Sequence, residues 1–170
     1  RGLGDVYKRQ SSDSILFAGN YNNLQLQDLT IGSADSDNGI HFDGTSSSTI
    51  DNVTVNSTKR KAVLFEDVSS IIVKNSFFKN SSSSHGFEIS DGSSTVTLDN
   101  VFIHNSGYSG SSAYGLYVSS SSSVTIKNGT KVGNSKTYEL YANGASTFKV
   151  QNSTFIGPKR ALIEDSDRFL

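Results

Sequence analysis

The chain has 170 residues, with 15 Lys and Arg against 16 Asp and Glu, a net charge of −1 and 18% charged residues. That balance carries no basic footprint for nucleic acid and no acidic tail, and no stretch approaches the ~20 apolar residues of a membrane-spanning helix. Cysteine is absent, which excludes disulfides, thiolate metal sites and thiol nucleophiles together.

Residues Arg1 to Gln10 share nothing with the rest of the chain, and Asp5-Val-Tyr-Lys-Arg-Gln10 reads as translated mosaic-end DNA of the kind used in transposon-based sequencing libraries. They are set aside as a non-native or disordered leader. Residues 11–170 read as one domain, truncated at both ends, because Ala161-Leu162-Ile163 looks like the opening strand of a further repeat.

From Ser14 onward one unit recurs. Asp28, Asn52, Asn75, Asn100, Asn128 and Asn152 follow one another at intervals of 23 to 28 residues. Each sits in the pattern apolar, any, apolar, any, Asn, any, any, apolar, as in Val96-Thr-Leu98-Asp-Asn100-Val101-Phe-Ile103. A period of this size is the signature of a solenoid. Each unit holds three short apolar segments that alternate with period two, which places their apolar side chains on one face of a strand. The first segment is Ile40-His-Phe42, Val63-Leu-Phe65, Phe87-Glu-Ile89, Leu116-Tyr-Val118 and Leu140-Tyr-Ala142; the second precedes the Asn and the third comes after it.

Between the first and second segments lie Gly, Asp, Asn and Ser, which accept turn conformations. Only the Asn corner separates the second from the third, where Asn tolerates a left-handed backbone. The expected fold is therefore all-β: a parallel β-helix of about six coils, three short strands per coil, stacked at about 4.8 Å. Like residues should then form ladders, with the Asn amides bonding from coil to coil.

With its stacked Asn between the second and third sheets, the segment Ile15 to Ile163 resembles the right-handed parallel β-helix proteins of the pectate-lyase-like superfamily. The resemblance implies that architecture. It leaves activity open, because the superfamily includes lyases, glycosidases, tailspikes, adhesins and epimerases.

Two outward columns differ in character. Gln27, Asp51, Lys74, Asp99, Lys127 and Gln151, just before the corner, alternate in charge and read as a structural ladder. Leu16, His41, Leu64, Glu88, Tyr117 and Tyr141, on the first strand, obey no ladder logic and lie beside the long return loops, where solenoids carry ligand sites. Tyr108, Tyr114 and Tyr138 fall nearby in sequence. The five tyrosines, with Glu88 and His41, form the candidate ligand-binding set, since exposed aromatic rings with hydroxyl tips suit a sugar.

Catalytic readings are thinner. His41 and Glu88 lie two rungs apart, near 10 Å between backbones, and one of them is not a carboxylate. His85-Gly86-Phe87 resembles part of the Gly-His-Gly motif of polygalacturonases, and Asp37-Asn38-Gly39-Ile40 their Asn-Thr-Asp motif. The coil between, Arg60-Lys61-Ala62-Val63-Leu64-Phe65, lacks the paired aspartates that this resemblance requires. Lys59-Arg60-Lys61 is a basic cluster of the sort a lyase uses against a uronate, and Asp35-Ser-Asp37-Asn38 offers oxygens for calcium without the spacing of an EF-hand loop. No cofactor is otherwise indicated. The Asn-x-Ser/Thr sequences at Asn52, Asn56, Asn80, Asn128 and Asn152 arise from the corner pattern itself.

The leading expectation is a carbohydrate-binding β-helix module of a secreted or surface protein, partnered by a polysaccharide or cell-surface glycan and not by nucleic acid or a membrane interior. The alternatives are a fragment of a lyase or glycoside hydrolase acting on acidic polysaccharide, and a passive rod.

Overall fold

The computed structural model describes residues 13–32, 37–109, 113–120, 122–144 and 147–157, together with the backbone of 161–163. The leader, Asp35 and the middle of the return loop before Tyr114 lie outside these. The described chain winds through about six turns of a parallel β-solenoid. Its first sheet has seven strands in sequence order: Ile15–Ala18, Ile40–Asp43, Val63–Glu66, Phe87–Ser90, Tyr114–Val118, Tyr138–Ala142 and Ala161–Ile163. The second contains Ile72–Lys74, Val96–Asp99, Ser123–Lys127 and Thr147–Val150, and the third Phe77–Ser81, Phe102–Ser106, Lys131–Gly133 and Thr154–Ile156. In the early coils Gln25–Gly32 and Thr49–Thr58 run unbroken through the Asn corner, so the second and third sheets are joined there.

Register is kept rung by rung. Ile40 pairs with Val63, Val63 with Phe87, Phe87 with Leu116 and Leu116 with Leu140. The period-two pattern turns each of these side chains inward. Phe42, Phe65, Phe87 and Phe78 are fully buried, and their rings touch along and across the coil, with Phe42 and Phe65 stacked at 5.3 Å and Phe78 edge-on to Phe87 at 5.4 Å. Ile50, Val73, Leu98 and Ile126 fill the opposing column.

What allows the chain to bend around so thin a core is a left-handed residue at each corner. Asp28, Asn52, Asn75, Asn100, Asn128 and Asn152 all have φ between 46° and 55°. Three further columns share the conformation, among them Ser57, Asn80, Asn105 and Asn134 at the end of the third sheet, with φ from 56° to 61°. The sequence pattern does not predict this second Asn ladder. Its amides also bond from coil to coil, Asn80 Nδ2 donating to Asn56 Oδ1 at 2.6 Å and Asn105 Nδ2 to Asn80 Oδ1 at 2.9 Å.

At the expected corner the ladder is less uniform than like-on-like stacking implies. Asn100 Nδ2 donates to Asn75 Oδ1 at 3.0 Å, but Asn75 and Asn128 donate instead to Asp51 and Asp99 of the coil before, at 3.0 and 2.9 Å. Those carboxylates also meet Lys74 and Lys127 at 3.2 and 3.4 Å, so the alternating charges ahead of the corner pair up as expected.

Asn100→Ala removes one coil-to-coil hydrogen bond and forces a Cβ-bearing residue without local polar compensation to hold φ near 54°. It should cost about 1 to 3 kcal/mol in urea unfolding. Asn100→Gly, which accepts that φ, should cost clearly less; equal losses would show that backbone handedness at the corner is not what matters.

Candidate functional site

The outer face of the first sheet is assembled from one register position of each strand, the second residue in the first four and the fourth in Tyr114–Val118 and Tyr138–Ala142. Leu16, His41, Leu64, Glu88, Tyr117 and Tyr141 form one column in continuous register. Leu64, though it points away from the core, is buried at 5% exposure. It separates His41 from Glu88, and each of those is engaged elsewhere, so the structure does not bring them together.

His41 is clamped between acids of the coils on either side. Its Nδ1 lies 3.0 Å from Asp13 Oδ2 and its Nε2 2.7 Å from Glu66 Oε2. Both acceptors are carboxylates, so both nitrogens carry protons and the ring is an imidazolium. Burial alone would lower its pKa; the two hydrogen bonds outweigh that and hold it above the ordinary 6.5. Burial would likewise raise Asp13, but His41 and the Asn38 backbone N–H, at 3.0 Å, keep it below its usual value.

The next two coils carry a second cluster. Lys61 Nζ reaches Glu88 Oε2 at 2.9 Å, both side chains being 12% exposed. His85 approaches the same carboxylate oxygen, its Nε2 3.7 Å from Oε2, which is too far for a hydrogen bond. The Tyr114 backbone N–H donates to His85 Nδ1 at 3.1 Å. Nδ1 is therefore an acceptor and the ring is neutral, with its proton on Nε2. Burial, helped by the nearby Lys61 charge, pushes His85 down to about 4.

His85 also begins an aromatic stack. Its ring lies 4.8 Å from those of Tyr114 and Tyr117, nearly parallel to the former at 9°. Tyr114 pairs with Tyr138 and Tyr117 with Tyr141 along the ladder. Across this two-by-two grid Tyr114 and Tyr141 are 4.4 Å apart at 22°, and Tyr117 and Tyr141 5.6 Å apart at 15°. All four are half-buried. Near-parallel rings thus lie against one another, and the phenol oxygens form the far ends of the side chains.

Tyr108 is not part of the grid. It stands 66% exposed near the corner that ends the third sheet, where with Ser57, Asn80 and Asn105 it lines an open groove of about 450 Å³. The basic cluster is also dispersed, since Lys61 is taken by Glu88 and Lys59 approaches Asp37 at 3.9 Å. Of the candidate calcium ligands, Asn38 gives its side chain to Asp13 and to the Lys61 backbone N–H. Among the described residues no group of three or more His, Asp or Glu is arranged to hold a metal, and no helix is long and apolar enough to cross a membrane.

Sequence reasoning missed Asp13 and Glu66 as partners of His41, and missed His85 as the link between Glu88 and the tyrosines. The i, i+3 spacing of His85 and Glu88 was legible, but the alignment of Lys61 beneath them required the loop register. It also missed Glu139, which lies one rung beyond Gly115 in a column otherwise kept small, fully buried, with the Ser135 backbone N–H 3.1 and 3.3 Å from its two carboxylate oxygens.

The chain matches the family described as a right handed beta helix region over residues 38–166. With that match covering most of its length, it belongs to the right-handed β-helix family. No curated protein and no solved structure matches it.

The two histidines on this face should titrate on opposite sides of the ordinary value. In an NMR titration His41 should lose its proton above pH 6.5 and His85 should gain one only near pH 4. For His41 the folded value exceeds the unfolded one, so its stabilisation is complete below pH 6.5 and is lost as pH rises through the folded value. His85 acts in reverse, its burial weakening the fold as pH falls from 6.5 towards 4. The stability difference between wild type and His41→Gln should shrink with rising pH; a constant difference would contradict the imidazolium clamp.

Proposed function

We propose that this chain is a carbohydrate-binding module of a secreted or surface protein, and that it meets a glycan along the tyrosine grid of the first sheet. The single observation that carries the reading is the convergence of Tyr114, Tyr117, Tyr138 and Tyr141 into one half-buried aromatic patch with His85 at its edge. Such a patch offers apolar ring carbon beside polar oxygen, and a pyranose presents the same mixture. Its rings are already ordered by one another, so binding need not freeze them, which removes part of the entropic cost of association.

A second reading draws on the cluster beside the grid. A neutral His85, a Glu88 carboxylate and Lys61 lie together at the edge of the tyrosines, and these residue types serve in proton transfer. On that reading the chain is a fragment of a lyase or hydrolase acting on acidic polysaccharide. Lys61 is ion-paired rather than held ready for a substrate carboxylate, which favours binding over catalysis.

Retention on a panel of immobilised glycans tests the first reading. Tyr117→Ala and Tyr141→Ala should each weaken retention of a responsive glycan up to about tenfold, the scale of one lost aromatic contact. Tyr117→Phe should preserve the stack and the melting temperature while losing the hydroxyl contribution. Should no glycan be retained, or should the alanine variants bind as well as wild type, the grid is a structural ladder. Release of unsaturated uronate, abolished by His85→Ala, would instead establish the second reading.

A further inference from the structure

A different face of the solenoid holds aromatic rings that neither the core nor the tyrosine grid uses. Beyond the Asn corner, the outward column of the third sheet reads Thr54, Phe77, Phe102, Lys131 and Thr154 in register. The adjoining outward column contains Lys79, His104 and Gly133. Phe77 is 49% exposed. Its ring meets Phe102 at 5.3 Å but is inclined by 52°, while Phe102 stacks on His104 at 5.4 Å and 14°. Phe77 thus keeps part of its ring surface exposed and does not stack flat on Phe102. Gly133, in register with His104 on the next coil, offers the imidazole no side-chain neighbour there.

The charge on this face is one-sided. The strands Phe77–Ser81, Phe102–Ser106, Lys131–Gly133 and Thr154–Ile156 contain Lys79 and Lys131 and no Asp or Glu, and the acid that interacts electrostatically with His104, Glu139, is fully buried. Neither Lys79 nor Lys131 makes an ion pair among the described residues. The acids nearest in sequence before the corner, Asp51 and Asp99, are matched by Lys74 and Lys127. The first-sheet face, by contrast, carries Asp13, Glu66 and Glu88.

We propose that the Phe77–Phe102 face is a second binding site, independent of the tyrosine grid, and that its ligand is an anionic glycan chain carrying carboxylate or sulfate. The inclined phenylalanine accepts the C–H face of a sugar ring. Lys79 and Lys131 lie one coil on from Phe102 on either side of it in the stack, within about 10 Å of one another along the axis, and meet acidic groups on successive sugars. Thr54 adds a hydroxyl at the same level as Phe77 in the preceding coil. A neutral chain would leave the two cations without partners, and a free inorganic anion would leave the rings uncovered.

Affinity electrophoresis of the full chain distinguishes these cases, in gels containing polygalacturonate, heparin or neutral dextran. The informative variant is Phe77→Thr with Phe102→Thr, because Thr54 and Thr154 already occupy that column and the fold tolerates threonine there; unfolding curves confirm that it folds. The wild type should be retarded by at least one of the two anionic polymers and not by dextran, and the double variant should lose at least tenfold in affinity. Lys131→Ala should weaken retardation further than a change at the exposed Lys136, and Tyr117→Ala should leave it intact. Absence of retardation in both anionic gels overturns the proposal. So does retardation that survives the double variant, which would mark plain charge attraction, and so does retardation that Tyr117→Ala removes, which would place the contact on the first sheet. Because Tyr117→Ala and the double variant are read on the same gels, failure here is distinct from failure of the tyrosine-grid reading.

Discussion

A backbone that turns left-handed at fixed points of every winding is the constraint on which the rest depends. For most L-residues that conformation costs about 1 to 2 kcal/mol. The chain meets it with Asn, Asp, Ser and Gly, whose side chains are short and polar or absent, and at one described corner with Thr95. The column Gly19, Gly44, Asp67, Asp91, Ser120 and Gly144 after the first sheet shows the range of solutions, all at positive φ. Because the corners recur in register, each strand meets its counterpart in the next coil, and a core only a few side chains wide can close. The richness in Ser, Asn and Gly is thus a requirement of the corners rather than a sign of disorder.

Register then sets the outer chemistry. With strands about 4.8 Å apart, an outward side chain has two obligatory neighbours, one above and one below. His41 has the apolar Leu16 and Leu64 in those two places and takes its charged partners diagonally, from Asp13 and Glu66, in an ion-paired clamp across three coils. Lys74 and Asp51 form a simpler pair of the same kind. Glu88 has Leu64 beneath it and Tyr117 above, neither of which can neutralise a charge, so its partner comes sideways from the return loop as Lys61. His85 meets that already neutralised carboxylate while accepting a backbone N–H, and stays uncharged.

Much of this was legible in the sequence, and the parts that were not share a physical cause. Strands, corners and the inward columns arise from local pattern, since period-two alternation and a positive-φ residue act over a few positions. The charge ladder before the corner was readable for the same reason. Contacts between a strand and the loop of a different coil were not, because loop lengths vary and a shift of one residue changes the partner. Asp13 reaches His41 across 28 positions, and Lys61 reaches Glu88 from a loop, so neither pairing shows in any single repeat. Tyr108 precedes the other tyrosines closely in sequence, yet it follows directly on the corner at Asn105 and so stands beside the second Asn ladder.

The two aromatic surfaces differ in a way that bears on what each could hold. In the tyrosine grid the rings are nearly parallel from coil to coil, 15° to 22° across the closest pairs that link the two strands, and Tyr114 and Tyr141, at 4.4 Å, cover one another's faces. Contact from solvent must then use ring edges and the oxygen-bearing ends, which rewards hydrogen bonding over stacking. The inclination of Phe77 against Phe102 breaks that pattern and frees ring surface, but phenylalanine supplies no hydrogen bond, and the polar part of recognition falls to the neighbouring lysines. One face is therefore organised around hydroxyl chemistry in an acid-bearing setting and the other around ring faces among lysine cations. A solenoid built from equivalent coils can present both, because its corners fix the backbone while leaving the outward positions of each sheet independent.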